Sequence, residues 1–133
     1  MQPKEIAREW FDMCARGDRD RFRDLATDDY VLHGPGGTGT RDDFVDWLQW
    51  YSTSFAEQQP VMEDVIESGD RVVIRYSVRS IYRGGYLDLP AADQKVHETG
   101  IIIFRFAGGK VAESWFESND LEVAQQLGGQ MRA

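Results

Sequence analysis

Ile101-Ile102-Ile103-Phe104-Arg105-Phe106, then Ala107-Gly108-Gly109, then Lys110-Val111-Ala112-Glu113-Ser114-Trp115-Phe116-Glu117-Ser118-Asn119-Asp120 is the stretch from which the fold is read. The β-branched and aromatic run predicts a strand, and the Ala-Gly-Gly turn predicts a hairpin into a second strand. Alternation places Val111, Glu113, Trp115, Glu117 and Asn119 on one face of that strand. Acidic and amide groups therefore cluster beside Trp115 near the strand end, as expected at the rim of a pocket. Leu121 to Leu127 then reads as a short amphipathic helix, and Gly128-Gly129-Gln130 onward is expected to fray.

Working outward, Arg71 to Tyr82 gives the longest alternating signal, and Gln94 to Phe106 and Lys110 to Asn119 follow as strands. Val61 to Ile66 precedes them, after Pro60 and before a Ser68-Gly69-Asp70 turn. Arg83 to Ala92 is a loop long enough to form a flap. N-terminal to all of these, Ile6, Trp10, Met13 and Cys14 recur at helical spacing over residues 3–16, with Pro3 in the first turn and Gly17 as C-cap. Asp18 caps a second short helix carrying Phe22 and Leu25. Tyr30-Val31-Leu32-His33 reads as a short strand. Thr40 and Asp43 resemble a capping box for a third helix, whose stripe of Phe44, Trp47, Leu48 and Tyr51 runs to about residue 56. Three helices around one short strand, followed by four long strands, predict one α+β domain over residues 1–133. The mostly antiparallel sheet is expected to curve strongly into a cone wrapped by the helices, with a hollow for one small apolar molecule.

Composition narrows the function. The chain has 133 residues, 15 basic against 23 acidic side chains and a net charge of −8. A scattered basic complement and an acidic balance speak against nucleic acid or an anionic membrane as partner. No apolar run reaches the ~20 residues of a membrane span, and no hydrophobic leader opens the sequence, so the cytoplasm is the expected compartment. Cys14 is the single cysteine, on an apolar helix face, and reads as plain core. Two separated histidines and no His-Glu-x-x-His motif give no metal site. Gly34-Pro35-Gly36-Gly37-Thr38-Gly39 lacks the Lys-Ser/Thr pair and strand–loop–helix context of a phosphate loop. No Gly-x-Ser-x-Gly is present to suggest a serine nucleophile.

Several motifs together resemble the SnoaL-like polyketide cyclases: Gly109-Lys110-Val111-x-Glu113-x-Trp115, Asn119-Asp120, Gln125-Gln126-Leu127-Gly128, Tyr30-x-x-His33-Gly34-Pro35-Gly36-Gly37, and Glu67-x-Gly69-Asp70-x-Val72-Val73-x-Arg75. That family belongs to the nuclear transport factor 2-like superfamily of cone-shaped α+β barrels, with ketosteroid isomerase, scytalone dehydratase and limonene epoxide hydrolase. The resemblance spans about residues 4–128. It implies a cofactor-free intramolecular aldol cyclase acting on a small aromatic, polyketide-like ester. A carboxylate near the end of the last strand would take a proton from an activated carbon.

At that position the family's catalytic Asp aligns with Asn119, and an amide cannot act as a base. Asp120 is next to it and reaches a pocket if the strand ends or bulges there. Glu113 beside Trp115 is a second candidate base, with an ion pair to Arg75 or Arg79 as its alternative. His33 is a candidate at the end of the short strand. Trp115, Trp47, Tyr51, Phe104, Tyr86 and His97 are the expected substrate-binding set. Arg75 and Arg79 read either as carbonyl or carboxylate binders or as outer-face side chains paired with Glu. Two other readings stay open: a non-catalytic binder, suggested by Asn119, and a hydrolase or hydratase like the epoxide hydrolase branch, which needs an Asp-Arg-Asp arrangement. The uncovered face of the long strands predicts a two-fold homodimer.

Overall fold

The computed structural model describes residues 1–129; of the fraying expected from Gly128-Gly129-Gln130 onward, the part from residue 130 lies outside the described residues, while the Gly128 and Gly129 N–H groups donate to the Gln125 and Ala124 carbonyls. Helices α1 (Pro3–Arg16) and α2 (Arg19–Leu25) precede strands β1 (Ala26–Gly34) and β2 (Gly37–Thr40). Helix α3 (Arg41–Ser54) leads into β3 (Phe55–Ser68), β4 (Arg71–Tyr82), β5 (Lys95–Ala107) and β6 (Lys110–Ser118), and α4 (Asp120–Gln126) closes the order. One six-stranded sheet runs β2-β1-β6-β5-β4-β3. Only the β1–β6 pair among these neighbours is parallel, so the sheet is mostly antiparallel, as the sequence predicts.

Local chemistry sets the element ends. Gly17 adopts φ 66° as the α1 C-cap, a conformation glycine accepts without strain. The Thr40 hydroxyl accepts from the Asp43 N–H, and the Asp43 carboxylate accepts from the Thr40 N–H, so the capping box starts α3. Two features differ from expectation. The glycine-rich segment holds a strand: Gly34 and Gly37 pair across a two-residue Pro35-Gly36 connection. Strand β3 starts at Phe55 and continues through Pro60, which an edge strand tolerates because one side of its backbone is unpaired.

Helices α1, α2 and α3 pack on the inner face of the sheet. Trp10 is the hub of the solid end of the core, with ring centroids 5.2–5.9 Å from Phe22, Tyr30, Phe44 and Phe104. Phe22 and Phe44 stack at 4.3 Å. Trp10 and Phe44 of this cluster also wall the cavity that opens beside it. Among the described residues no helix is long and apolar enough to cross a membrane.

Candidate active site

One irregularity decides which side chains enter the interior. Phe106 pairs with Val111, but Arg105 pairs with Glu113, so Ala112 is an extra residue in β6. Such a bulge switches the inside–outside alternation of everything after it. Val111 stays buried, Ser114 and Phe116 turn inward, and Glu113 and Trp115 turn outward. The predicted shared face of Val111, Glu113, Trp115 and Glu117 is therefore broken after its first member. The even-numbered series continues through Ser118 to Asp120, which reaches the mouth of the hollow.

The hollow has two connected chambers. The inner one, a narrow cavity of about 50 Å³, is walled by Phe11, Trp47, Tyr51, Tyr76, Ile102 and Phe116. The outer one, of about 240 Å³, is bounded by Trp50, Phe55, Tyr86, Ser118 and Asp120. Trp47, Tyr51, Glu98 and Phe116 line both, so they form the neck between them. Gly34 makes this wall possible: a Cβ there would lie 2.5 Å from the Phe116 ring.

Glu98 is the group that reading the sequence missed. It lies on the inward register of β5 with Val96, Ile102, Phe104 and Phe106, the lone charge in an apolar series. Its two oxygens accept from Tyr51 Oη and Tyr76 Oη, each at 2.7 Å. Burial pushes the carboxyl above the ordinary carboxylate range. The two phenol donors partly oppose that shift, and the nearby Asp120 charge adds to it. Both phenols are in turn raised, first by burial and then by Glu98. Gly100 positions the second phenol, since a Cβ there would sit 2.6 Å from Tyr76 Oη and 2.5 Å from the Glu117 carbonyl oxygen.

The other candidate residues separate into distinct places. Asp120 accepts from Ser118 Oγ at 2.6 Å at the outer mouth. Asn119 is turned to the backbone of β5: its Oδ1 accepts from the Thr99 N–H and its Nδ2 donates to the His97 carbonyl. His33 and Glu113 do meet, Nε2 to Oε2 at 2.6 Å, but on the outer face. His33 and then Arg105, 3.0 Å away, hold the Glu113 carboxyl below its usual range. Arg105 thus fills the place the sequence reading gave to Arg75 or Arg79, while Arg75 pairs with Asp64 at 2.7 Å. Trp115 lies on that same outer face, stacked on His33 at 5.2 Å with the Arg71 guanidinium over its ring. Phe104 is in the solid core, and His97 lines a groove on the outer face. Of the predicted binding set, Trp47, Tyr51 and Tyr86 line the hollow.

The hollow can therefore hold a small apolar body with two carboxyl groups in unlike settings, one enclosed by phenols and one at the solvated mouth. No arginine lines either chamber among the described residues, so an Asp-Arg-Asp arrangement is not assembled there. No three His, Cys, Asp or Glu side chains converge into a metal-holding group among the described residues.

A mostly antiparallel sheet curved over such a hollow defines the cone-shaped α+β class. The SnoaL-like domain profile matches residues 7–114, and the chain belongs to the SnoaL-like family. Among solved structures it is similar to IdmH, a proposed polyketide cyclase from Streptomyces antibioticus, at 22% identity and TM-score 0.85, covering 97% of this chain and 100% of that one. It is similar to AclR, a proposed hydroxylase from Streptomyces galilaeus, at 22% identity and TM-score 0.87, covering 98% and 83%. A SnoaL-like polyketide cyclase from Agrobacterium tumefaciens matches at 16% identity and TM-score 0.77, covering 96% and 99%. At these identities the likeness speaks for the fold. No curated protein matches the sequence.

Proposed function

We propose that this protein is a cofactor-independent acid–base enzyme that enolises a small apolar ketone and closes or isomerises it, as in polyketide ester cyclisation. The observation that carries the reading is Glu98, a carboxyl with a raised proton affinity facing an aromatic hollow that Asp120 also lines. Such a group is protonated where ordinary carboxylates are not, so it can act as an acid.

In this reading Asp120 takes a proton from the activated carbon, and Glu98 gives one to the carbonyl oxygen. The enol carbon then attacks a second carbonyl carbon. The new alkoxide takes the proton held by Asp120, and the enol hydroxyl returns its proton to Glu98. Tyr51 and Tyr76 hold Glu98 in place throughout, and the aromatic walls orient the substrate and exclude water.

The test is exchange of α-protons of an aromatic ketone in deuterated buffer, followed by NMR. The wild-type protein is expected to accelerate exchange, and Glu98→Gln and Asp120→Asn each to slow it by about 10²-fold or more, the usual contribution of a positioned acid or base. A wild-type rate equal to that of buffer refutes the reading.

A further inference from the structure

We propose that the outer chamber selects an organic cation, so that the substrate carries a protonated amine or quaternary ammonium group on its apolar body. This inference rests on the reading of the hollow as the active site and specifies its substrate class. Five aromatic rings follow one another around the mouth. Tyr86 lies 5.7 Å from Trp50, Trp50 6.5 Å from Tyr51, Tyr51 4.7 Å from Trp47, and Trp47 6.2 Å from Phe116. Two of them have their polar handles turned to the protein: Trp50 Nε1 donates to the Gly85 carbonyl at 2.7 Å, and Tyr51 Oη to Glu98. Trp50 therefore offers a π-face rather than a free donor, and Tyr51, stacked on Trp47, offers the face that Trp47 leaves open.

The acidic groups facing the two chambers are the Glu98 and Asp120 carboxyls, and among the described residues no Lys, Arg or His lines either of them. An anionic ligand would meet two carboxyl groups with no counter-ion. A neutral ligand would gain contact area only. A cation gains the negative faces of the rings and, at the solvated mouth, the Asp120 carboxylate beside them. Asp120 is aimed by Ser118 Oγ at 2.6 Å, so its charge has a fixed place at the mouth. The Tyr86 phenol already registers this field. It is raised first by burial, then by Asp120 and Glu98.

The test compares three probes of similar shape on the full chain, read by tryptophan fluorescence and calorimetry: phenyltrimethylammonium, its uncharged isostere tert-butylbenzene, and benzoate. The cation is expected to bind about tenfold tighter than the isostere, a difference within reach of ring and carboxylate attraction together, and benzoate weakest. Asp120→Asn is expected to lower cation affinity about tenfold and to leave the isostere unchanged. Added salt is expected to narrow the preference. Equal binding of cation and isostere, an unchanged cation affinity in Asp120→Asn, or no binding by any probe overturns the inference. The ketone exchange assay reads the active-site assignment separately. Exchange on a neutral ketone with equal binding of the two isosteres overturns the cation inference and leaves that assignment standing. Cation selectivity with no exchange on any ketone supports the inference while that assignment fails.

Discussion

Glu98 couples proton binding to folding in a direction opposite to that of most carboxylates. Burial raises its folded proton affinity above the ordinary value of 4.5. From pH 4.5 upward to the folded value, the native state holds a proton that the unfolded chain has released, so stability falls as pH rises through that window. Glu113 has the reverse sign. Its lowered value contributes stability that is present above 4.5 and is lost as pH falls through the folded value. Urea denaturation across pH separates the two. The wild-type protein is expected to lose stability as pH rises from 4.5, and Glu98→Gln to lack that loss while keeping the acid-side decline. Asn119 gives a second outcome at this scale. Its amide donates to the His97 carbonyl, so Asn119→Asp places a carboxylate oxygen against a carbonyl oxygen. The change is expected to cost about 1–3 kcal/mol in urea unfolding and to add no ketone exchange, because the side chain points at β5 rather than the hollow.

Strand β5 supports the site only because Gly100 leaves a gap over which Tyr76 lies. Gly100→Ala is expected to destabilise the protein by about 1–3 kcal/mol through overpacking and to move Tyr76 Oη off Glu98. Thermal unfolding reads the first effect, and the carbon-13 titration of the Glu98 carboxyl reads the second. The same strands show where sequence sufficed. The periods of α1, α3 and β4 read directly, because one face of each is buried and the other is not. Glu98 is legible in the same way, as an acidic residue on the apolar register of Val96, Ile102, Phe104 and Phe106. The β6 bulge was not legible. Val111-Ala112 offers no turn residue, and the extra residue shows only through pairing with Arg105 and Phe106. That one insertion moves Glu113 and Trp115 to the outer face, where His33 of β1 already points by the alternation of its own strand, and brings Asp120 to the rim. The Tyr51–Glu98–Tyr76 contact joins α3, β5 and β4, and no local pattern could announce it.

Across the whole molecule, the outer sheet face has the layout of a self-complementary surface. Ile66, Val73, Ile103, Trp115 and His33 are register partners in succession, giving an apolar row across β3, β4, β5, β6 and β1. One neighbouring row reads Asp64, Arg75, Ile101, Glu117, and the other Ser68, Arg71, Arg105, Glu113. An apolar row between two rows of mixed sign suits a two-fold axis, which lays apolar groups on apolar groups and lets each charged row meet its opposite. Ile66 is 59% exposed and Ile101 46%, so apolar area remains for a partner to cover. We propose that a second copy covers this face, which lies across the sheet from the hollow and leaves its mouth open. Light scattering at micromolar concentration is expected to give twice the chain mass for the wild-type protein. Ile66→Glu with Ile101→Glu is expected to give the monomer, with ketone exchange per chain changed less than about twofold because neither side chain lines a chamber. A wild-type monomer, or a double variant that remains dimeric, would move the interface off this face.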